Sequence, residues 1–275
     1  MIVWCHGLGG DRTSGAALAA AWAAAGYGVL LPTFNDSIRL VARRHPELGL
    51  GDDAVPGRWA GHERARTLMM TGMLGWPWRA DRLAVLSAVL DRAPSILAGR
   101  PVEAEVARLG VGGHSFGAYL AQLVAGAVID CPLGPATSFR DERVRAVVIA
   151  SGQGRDQAGL ADGSWDRLTL PLLNITGTRD RGATSDDPAW KWEPFSLSPP
   201  GHKNQLVIDD ADHGLGGVGG ASALFPPVPA QLDLVREVTT TFWDAYLADR
   251  PAALTRLDSS RPIGTGHPPA TFQRR

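Results

Sequence analysis

Two cysteines in 275 residues are too few for a disulfide framework. Cys5 falls on an apolar run and Cys131 just ahead of a Pro/Gly turn, and neither sits in a CxxC or other metal-ligating spacing. Both are expected to be buried free thiols, with no metal bound. An excess of either charge is also missing: 27 basic residues face 28 acidic ones, interspersed, for a net charge of -1. No field of one sign steers the chain towards nucleic acid or an anionic membrane, which leaves a small, roughly neutral molecule as the expected partner.

Long hydrophobic runs are lacking as well. No apolar segment approaches the roughly 20 residues needed to cross a bilayer. The stretch "GAALAAAWAAAG", residues 15–26, follows Asp11 and Arg12 rather than a basic leader, so it reads as a core helix and not as a signal peptide. As it stands the chain carries no export signal and is expected to be cytoplasmic; a leader ahead of residue 1 would make it secreted. No internal repeat is present.

What the sequence does have is a 44% hydrophobic content, enough for one large domain over residues 1–257. A Pro- and Gly-rich tail, 258–275, is expected to be loosely ordered. Short aliphatic or β-branched runs at 2–5, 27–32, 108–112, 144–150, 172–176 and 205–208 are each bounded by Gly, Pro, Asp or Asn, as in strands buried on both faces. Helical patterns at 13–25, 80–91, 116–129 and 232–248 fill several of the gaps. The alternation predicts an α/β fold with a mostly parallel central sheet and helices on both faces. Chemistry is then expected in the loops beyond the carboxyl ends of the strands. The segment 35–78, with Trp59, Trp76 and Trp78 and three methionines, is either a lid or pocket wall or an excursion packed on its own small core.

The motif "GVGGHSFGAY" places Ser115 between an apolar run and a helical pattern. A serine presented on a sharp strand-to-helix turn needs flanking residues without side chains, and Gly113 and Gly117 occupy those positions. With 33 glycines the pattern alone is cheap, so its strand-before, helix-after context carries the weight. An oxyanion hole would take the backbone N–H of Phe116, next to the serine, and that of Leu8 in "HGLGG", which follows the first strand. That loop lacks the Lys-Ser/Thr of a phosphate-binding P-loop.

A serine needs a base, and seven histidines compete. His213, in "VIDDADHG", follows the last predicted strand and is preferred. His114 adjoins the serine and should point away, His6 belongs to the oxyanion segment, and His45, His62, His202 and His267 read as surface residues. For the acid that orients the base, Asp180 ends "LLNITGTRD", with Asp156 in "IASGQGRD" as the rival. Asp186, Asp187 and Asp212 read as caps or Asx turns.

Together "HGLGG", "GHSFGAYLA", "RDERVRAVVIASGQG", "PLLNITGTRD" and "PPGHKNQLVIDDADHG" resemble the dienelactone-hydrolase-like and platelet-activating-factor-acetylhydrolase-like branch of the α/β-hydrolase fold, from residue 2 to about 247. The resemblance implies a serine hydrolase of carboxylic esters, aryl or short-to-medium acyl, with no cofactor. It also implies Leu8 and Phe116 as oxyanion donors and Asp180 as the acid. Two departures stand out. Dienelactone hydrolases use a cysteine nucleophile where this chain has Ser115, so their lactone substrate is not implied. Family members also have two strands before the one leading to the HG loop, which here begins at residue 2. Either the start is trimmed or the sheet lacks its first two strands. In the second case strand 27–32 is an exposed edge, to be covered by a second copy of the chain in a homodimer or by the 35–78 excursion.

Two readings from other classes stay open. "GLGGVG", residues 214–219, matches the dinucleotide-binding GxGxxG after a strand, but only a helix and a tail follow it. A non-catalytic ligand-binding protein on the same fold would carry the same residues.

Overall fold

The computed structural model describes residues 1–99, 108–181, 187–220, 225–259 and 268–275. In chain order they form β1 (Ile2–Cys5), α1 (Ala16–Ala24), β2 (Val29–Leu30), α2 (Ile38–Arg44), α3 (Glu63–Leu74), α4 (Trp76–Leu97), β3 (Leu109–His114), α5 (Phe116–Ala125), β4 (Val128–Cys131), β5 (Gly134–Ser138), β6 (Val144–Ala150), β7 (Leu172–Gly177), α6 (Glu193–Ser196), β8 (Lys203–Ile208), α7 (Pro229–Tyr246), α8 (Pro251–Asp258) and β9 (Ala270–Arg274). Seven strands make one sheet in the order β2-β1-β3-β6-β7-β8-β9. The first six run parallel, and β9 closes the far edge antiparallel to β8.

Every residue of β1, β3, β7 and β8 is buried; β1 and β3 accordingly read as apolar or small-residue runs, whereas β7 also buries Asn174 and Thr176 and β8 buries Lys203, Asn204 and Gln205. Alternate side chains feed two cores. Val3 and Cys5 point to the face covered by α4 and α5, with Leu86, Leu90 and Tyr119. Ile2 and Trp4 point to the face covered by α1 and α7, with Leu18, Trp22 and Trp243. On that second face Trp4, Trp22 and Trp243 meet edge to face, with ring centroids 5.4 and 6.0 Å apart. Their bulk accounts for the glycines of β3: a Cβ on Gly110 would lie 2.7 Å from Trp243, and one on Gly112 2.8 Å from Trp4.

Four expectations are corrected or narrowed. The helix expected over 116–129 stops at Ala125, where Gly126 adopts φ 119° as a left-handed C-cap, and the following residues form the β4–β5 hairpin. Cys131 lies on that hairpin and is only half-buried, whereas Cys5 is buried, its thiol pushed up to about 12 chiefly by burial. Segment 35–78 folds as α2, short 3₁₀ turns and α3 around a small core of Ile38, Val41, Leu50, Trp59, Ala65 and Met69. The tail is not loose throughout: 260–267 lies outside the described residues, but 270–274 is strand β9.

Strand β2 lies at a sheet edge, and among the described residues no strand pairs with its outer side. Among those residues no helix is long and apolar enough to cross a membrane.

Candidate active site

Strand β3 ends at His114, α5 begins at Phe116, and Ser115 between them has φ 55° and ψ −117°. A non-glycine residue in this region costs about 1–3 kcal/mol. The chain tolerates it because the turn is packed from both sides by backbone. A Cβ on Gly113 would stand 2.3 Å from the carbonyl carbon of Gly117, and one on Gly117 2.0 Å from the carbonyl oxygen of Cys5. The first glycine lets β3 run directly into α5, and the second lets α5 abut the end of β1. Ser115 N–H donates to Ala150 O at 2.9 Å, tying the turn to β6.

His213 arrives from the loop after β8. Its Nε2 lies 2.9 Å from Ser115 Oγ, and its Nδ1 lies 2.9 Å from Asp180 Oδ1. Asp180 follows β7, its N–H turned back to Gly177 O, and its side chain is fully buried. Thr176 Oγ1 donates to Asp180 Oδ2 at 2.9 Å and Ser151 Oγ donates to Oδ1 at 2.8 Å. Burial works to raise the Asp180 pKa, but the Lys191 ammonium, His213 and Ser151 outweigh it and hold the carboxyl well below the usual range. The base loop is pinned too. Asp212 caps Gly214 N–H at 2.8 Å, as its Asx-turn reading anticipates, and the Phe225 ring lies 5.4 Å from that of His213.

His114, expected to play no part, is buried at the site: its Nε2–H donates to His213 O at 2.7 Å. Burial, more than the neighbouring His213, pushes the His114 pKa down to about 3, so the ring is neutral and can hold that role across the working pH range.

The loop after β1 lies against the serine, since a Cβ on Gly7 would touch Ser115 Cβ at 3.4 Å. Phe34 N–H donates to His6 Nε2 at 3.0 Å, so the His6 proton sits on Nδ1 and is donated to Gly7 O at 2.7 Å. Burial first, then Arg82, lowers the His6 pKa to about 4 and keeps it neutral. Arg82, on α4 and fully buried, completes the arrangement. It donates to His6 O at 2.8 Å and to Gly7 O at 3.1 Å. The same guanidinium forms a two-point pair with Asp36 at 2.8 and 2.7 Å and lies 4.5 Å from the Phe34 ring and 4.2 Å from the Phe116 ring. With the Gly7 carbonyl held by Arg82, the planar trans peptide aims Leu8 N–H the opposite way. Phe116 N–H, at the start of α5, has no intrahelical acceptor.

The remaining candidates are placed elsewhere. Asp156, the rival acid, is exposed in a turn at φ 61°, its N–H donating to Leu160 O; the same loop sends in Ser151 instead. Trp59 packs on Gly9 in the loop after β1, Trp76 on Phe139 just after β5, and Trp78 on Gly72 of α3. His45, His62 and His202 pair with Glu47, Asp53 and Tyr246 at the surface; His267 and Asp186 lie outside the described residues. Asp187 caps Ala189 N–H as expected. The glycines of "GLGGVG" form turns after β8, Gly219 facing the His114 ring, and the strand reached after α7 and α8 is the antiparallel β9. Among the described residues no group of His, Cys, Asp and Glu is placed to hold a metal ion.

Sequence reasoning missed Arg82, Asp36, Ser151 and Lys191. Ser151 carried the same signal as the chosen residues, since it directly follows β6; the other three had none beyond residue type. No protein-family model matches the chain, and no curated protein matches it.

Proposed function

We propose that the protein is a serine hydrolase of carboxylic esters, built as an α/β-hydrolase of the dienelactone-hydrolase-like type. The observation that carries this reading is the unbroken chain of contacts Ser115 Oγ–His213 Nε2–Asp180 Oδ1, 2.9 Å at each step, on a serine held at φ 55° between two obligatory glycines. Asp180 accepts the Nδ1 proton of His213, which leaves Nε2 free to take the proton of Ser115 as its oxygen attacks the ester carbonyl. The N–H groups of Leu8 and Phe116 receive the developing oxyanion, and each such donor is worth about 3 kcal/mol of transition-state stabilisation. His213 then protonates the leaving alkoxide, and water, deprotonated by His213, attacks the acyl-enzyme to regenerate Ser115. The residues present call for no cofactor, and aryl or short-to-medium acyl esters are the proposed substrates.

A fluorophosphonate probe tests the reading. The wild-type chain should be labelled and hydrolyse p-nitrophenyl acetate, and Ser115→Ala should do neither. Labelling that survives in Ser115→Ala overturns the assignment, and a wild type that neither labels nor turns over is a ligand-binding protein on this fold.

A further inference from the structure

Acyl transfer by Ser115, His213 and Asp180 leaves two buried polar side chains at the same site without a role, Ser151 and Lys191. Of the 27 basic residues only two are lysines, Lys191 and Lys203. Lys191 lies in the 3₁₀ turn Pro188–Trp192 ahead of α6, with its side chain 1% exposed against an Asp180 that is 0% exposed. Its Nζ donates to Ser151 O at 2.9 Å and to Ser151 Oγ at 3.2 Å, stands 3.7 Å from Asp180 Oδ1, and lies 4.4 Å from the centre of the Trp190 ring.

The Ser151 hydroxyl has one proton to give and two lone pairs to fill, and all three are committed. The proton goes to Asp180 Oδ1 at 2.8 Å, since a carboxylate only accepts. The lone pairs take one hydrogen from Lys191 and one from His213 Nδ1–H, 2.6 Å away. His213 Nδ1–H is therefore shared between Asp180 and Ser151, and the imidazole is held at two points instead of one. Ser151 achieves this at φ 52°, a left-handed conformation that a serine adopts at a cost.

We infer that Ser151 and Lys191 are positioning residues that extend the triad to five side chains: Ser151 fixes the His213 ring beside Asp180, and Lys191 fixes Ser151 through both its carbonyl and its hydroxyl. The inference rests on the hydrolase reading above. The physical reason is geometry: a ring held by one acceptor can pivot about it, whereas a ring held at two points keeps Nε2 aimed at Ser115. The groups facing His213 from the elements around it are Asp180 beyond β7, Lys191 ahead of α6 and the neutral His114 of β3. The carboxylate of Asp212 is turned to Gly214 N–H.

The test is the split between kcat and KM for p-nitrophenyl acetate. In Lys191→Gln kcat should fall about tenfold or more with KM unchanged, because Ser151 is no longer held against His213. An unchanged kcat, or a loss of stability alone, makes Lys191 a structural residue and overturns the inference. Should Lys191→Gln not fold, Ser151→Ala decides: a loss in kcat of about tenfold or more with KM unchanged supports the positioning role, and an unchanged kcat overturns it. Fluorophosphonate labelling of the wild type separates the two levels, since a chain that labels but fails these tests loses the inference and keeps the hydrolase reading.

Discussion

Two buried ion pairs flank Ser115, and they are built differently. On the β1 side Arg82 meets Asp36 through two short contacts, 2.7 and 2.8 Å, with side-chain exposures of 0% and 2%. On the β7 side Lys191 stands 3.7 Å from Asp180, too far for a direct hydrogen bond, with Ser151 between them. In the first pair the cation does the positioning: the flat guanidinium reaches two loop carbonyls and lies between two aromatic rings, while Asp36 only balances it. In the second the carboxylate faces His213 and the lysine is a point charge behind it that helps keep it ionised. One pair sets geometry and the other sets charge, so the same substitution should act differently on the two sides.

The largest effect is expected from Arg82→Met. It leaves Asp36 as an uncompensated charge in the interior and should cost about 3–5 kcal/mol of stability, read from the urea midpoint. A midpoint close to wild type would show that the β1-side pair is dispensable. Arg82→Lys keeps the charge but not the fork. It should fold and yet lose about a hundredfold in kcat with KM little changed, because a small displacement of the Gly7–Leu8 peptide misplaces an oxyanion donor. Full activity in Arg82→Lys would erase the distinction between a geometric and an electrostatic pair.

A pH dependence is shared by both sides. His6 is pushed down to about 4 and His114 to about 3, burial leading in each case, from an ordinary value of 6.5. Between 6.5 and those values the unfolded chain binds more protons than the folded one. Stability is therefore whole above 6.5 and falls progressively as the pH drops through that window. At lower pH the held-down carboxyl of Asp180 acts in the same direction: its contribution is present above the ordinary carboxylate range and is lost as pH falls through its folded value. Urea midpoints measured from pH 7 to pH 4 should decline steadily, and a flat series would contradict the neutral assignment of both histidines.

Much of this was legible along the chain. Ser115, Asp180 and His213 each follow a strand that reads as buried, and the carboxyl ends of parallel strands share one rim, so three positions distant in sequence were expected to meet. The helix over 116–129 was overextended because apolar residues continue past Gly126, whose φ of 119° ends it. Strand β9 was missed because "ATFQR" has no apolar run; its burial alternates between half-buried and exposed, as an edge strand allows.

Arg82 and Lys191 were out of reach for a different reason. A lone basic residue on a helix or in a turn looks the same in sequence whether it is solvated or buried, and Arg82 finds its carboxylate 46 positions away. Local pattern determined the six parallel strands, the glycines that the elbow demands and the three residues that follow strands β3, β7 and β8, because those depend on periodicity and on backbone room. Only the folded chain decided which single charges went inside and what they met there. Burying a charge requires a partner supplied by a distant segment, and no local pattern records that partner.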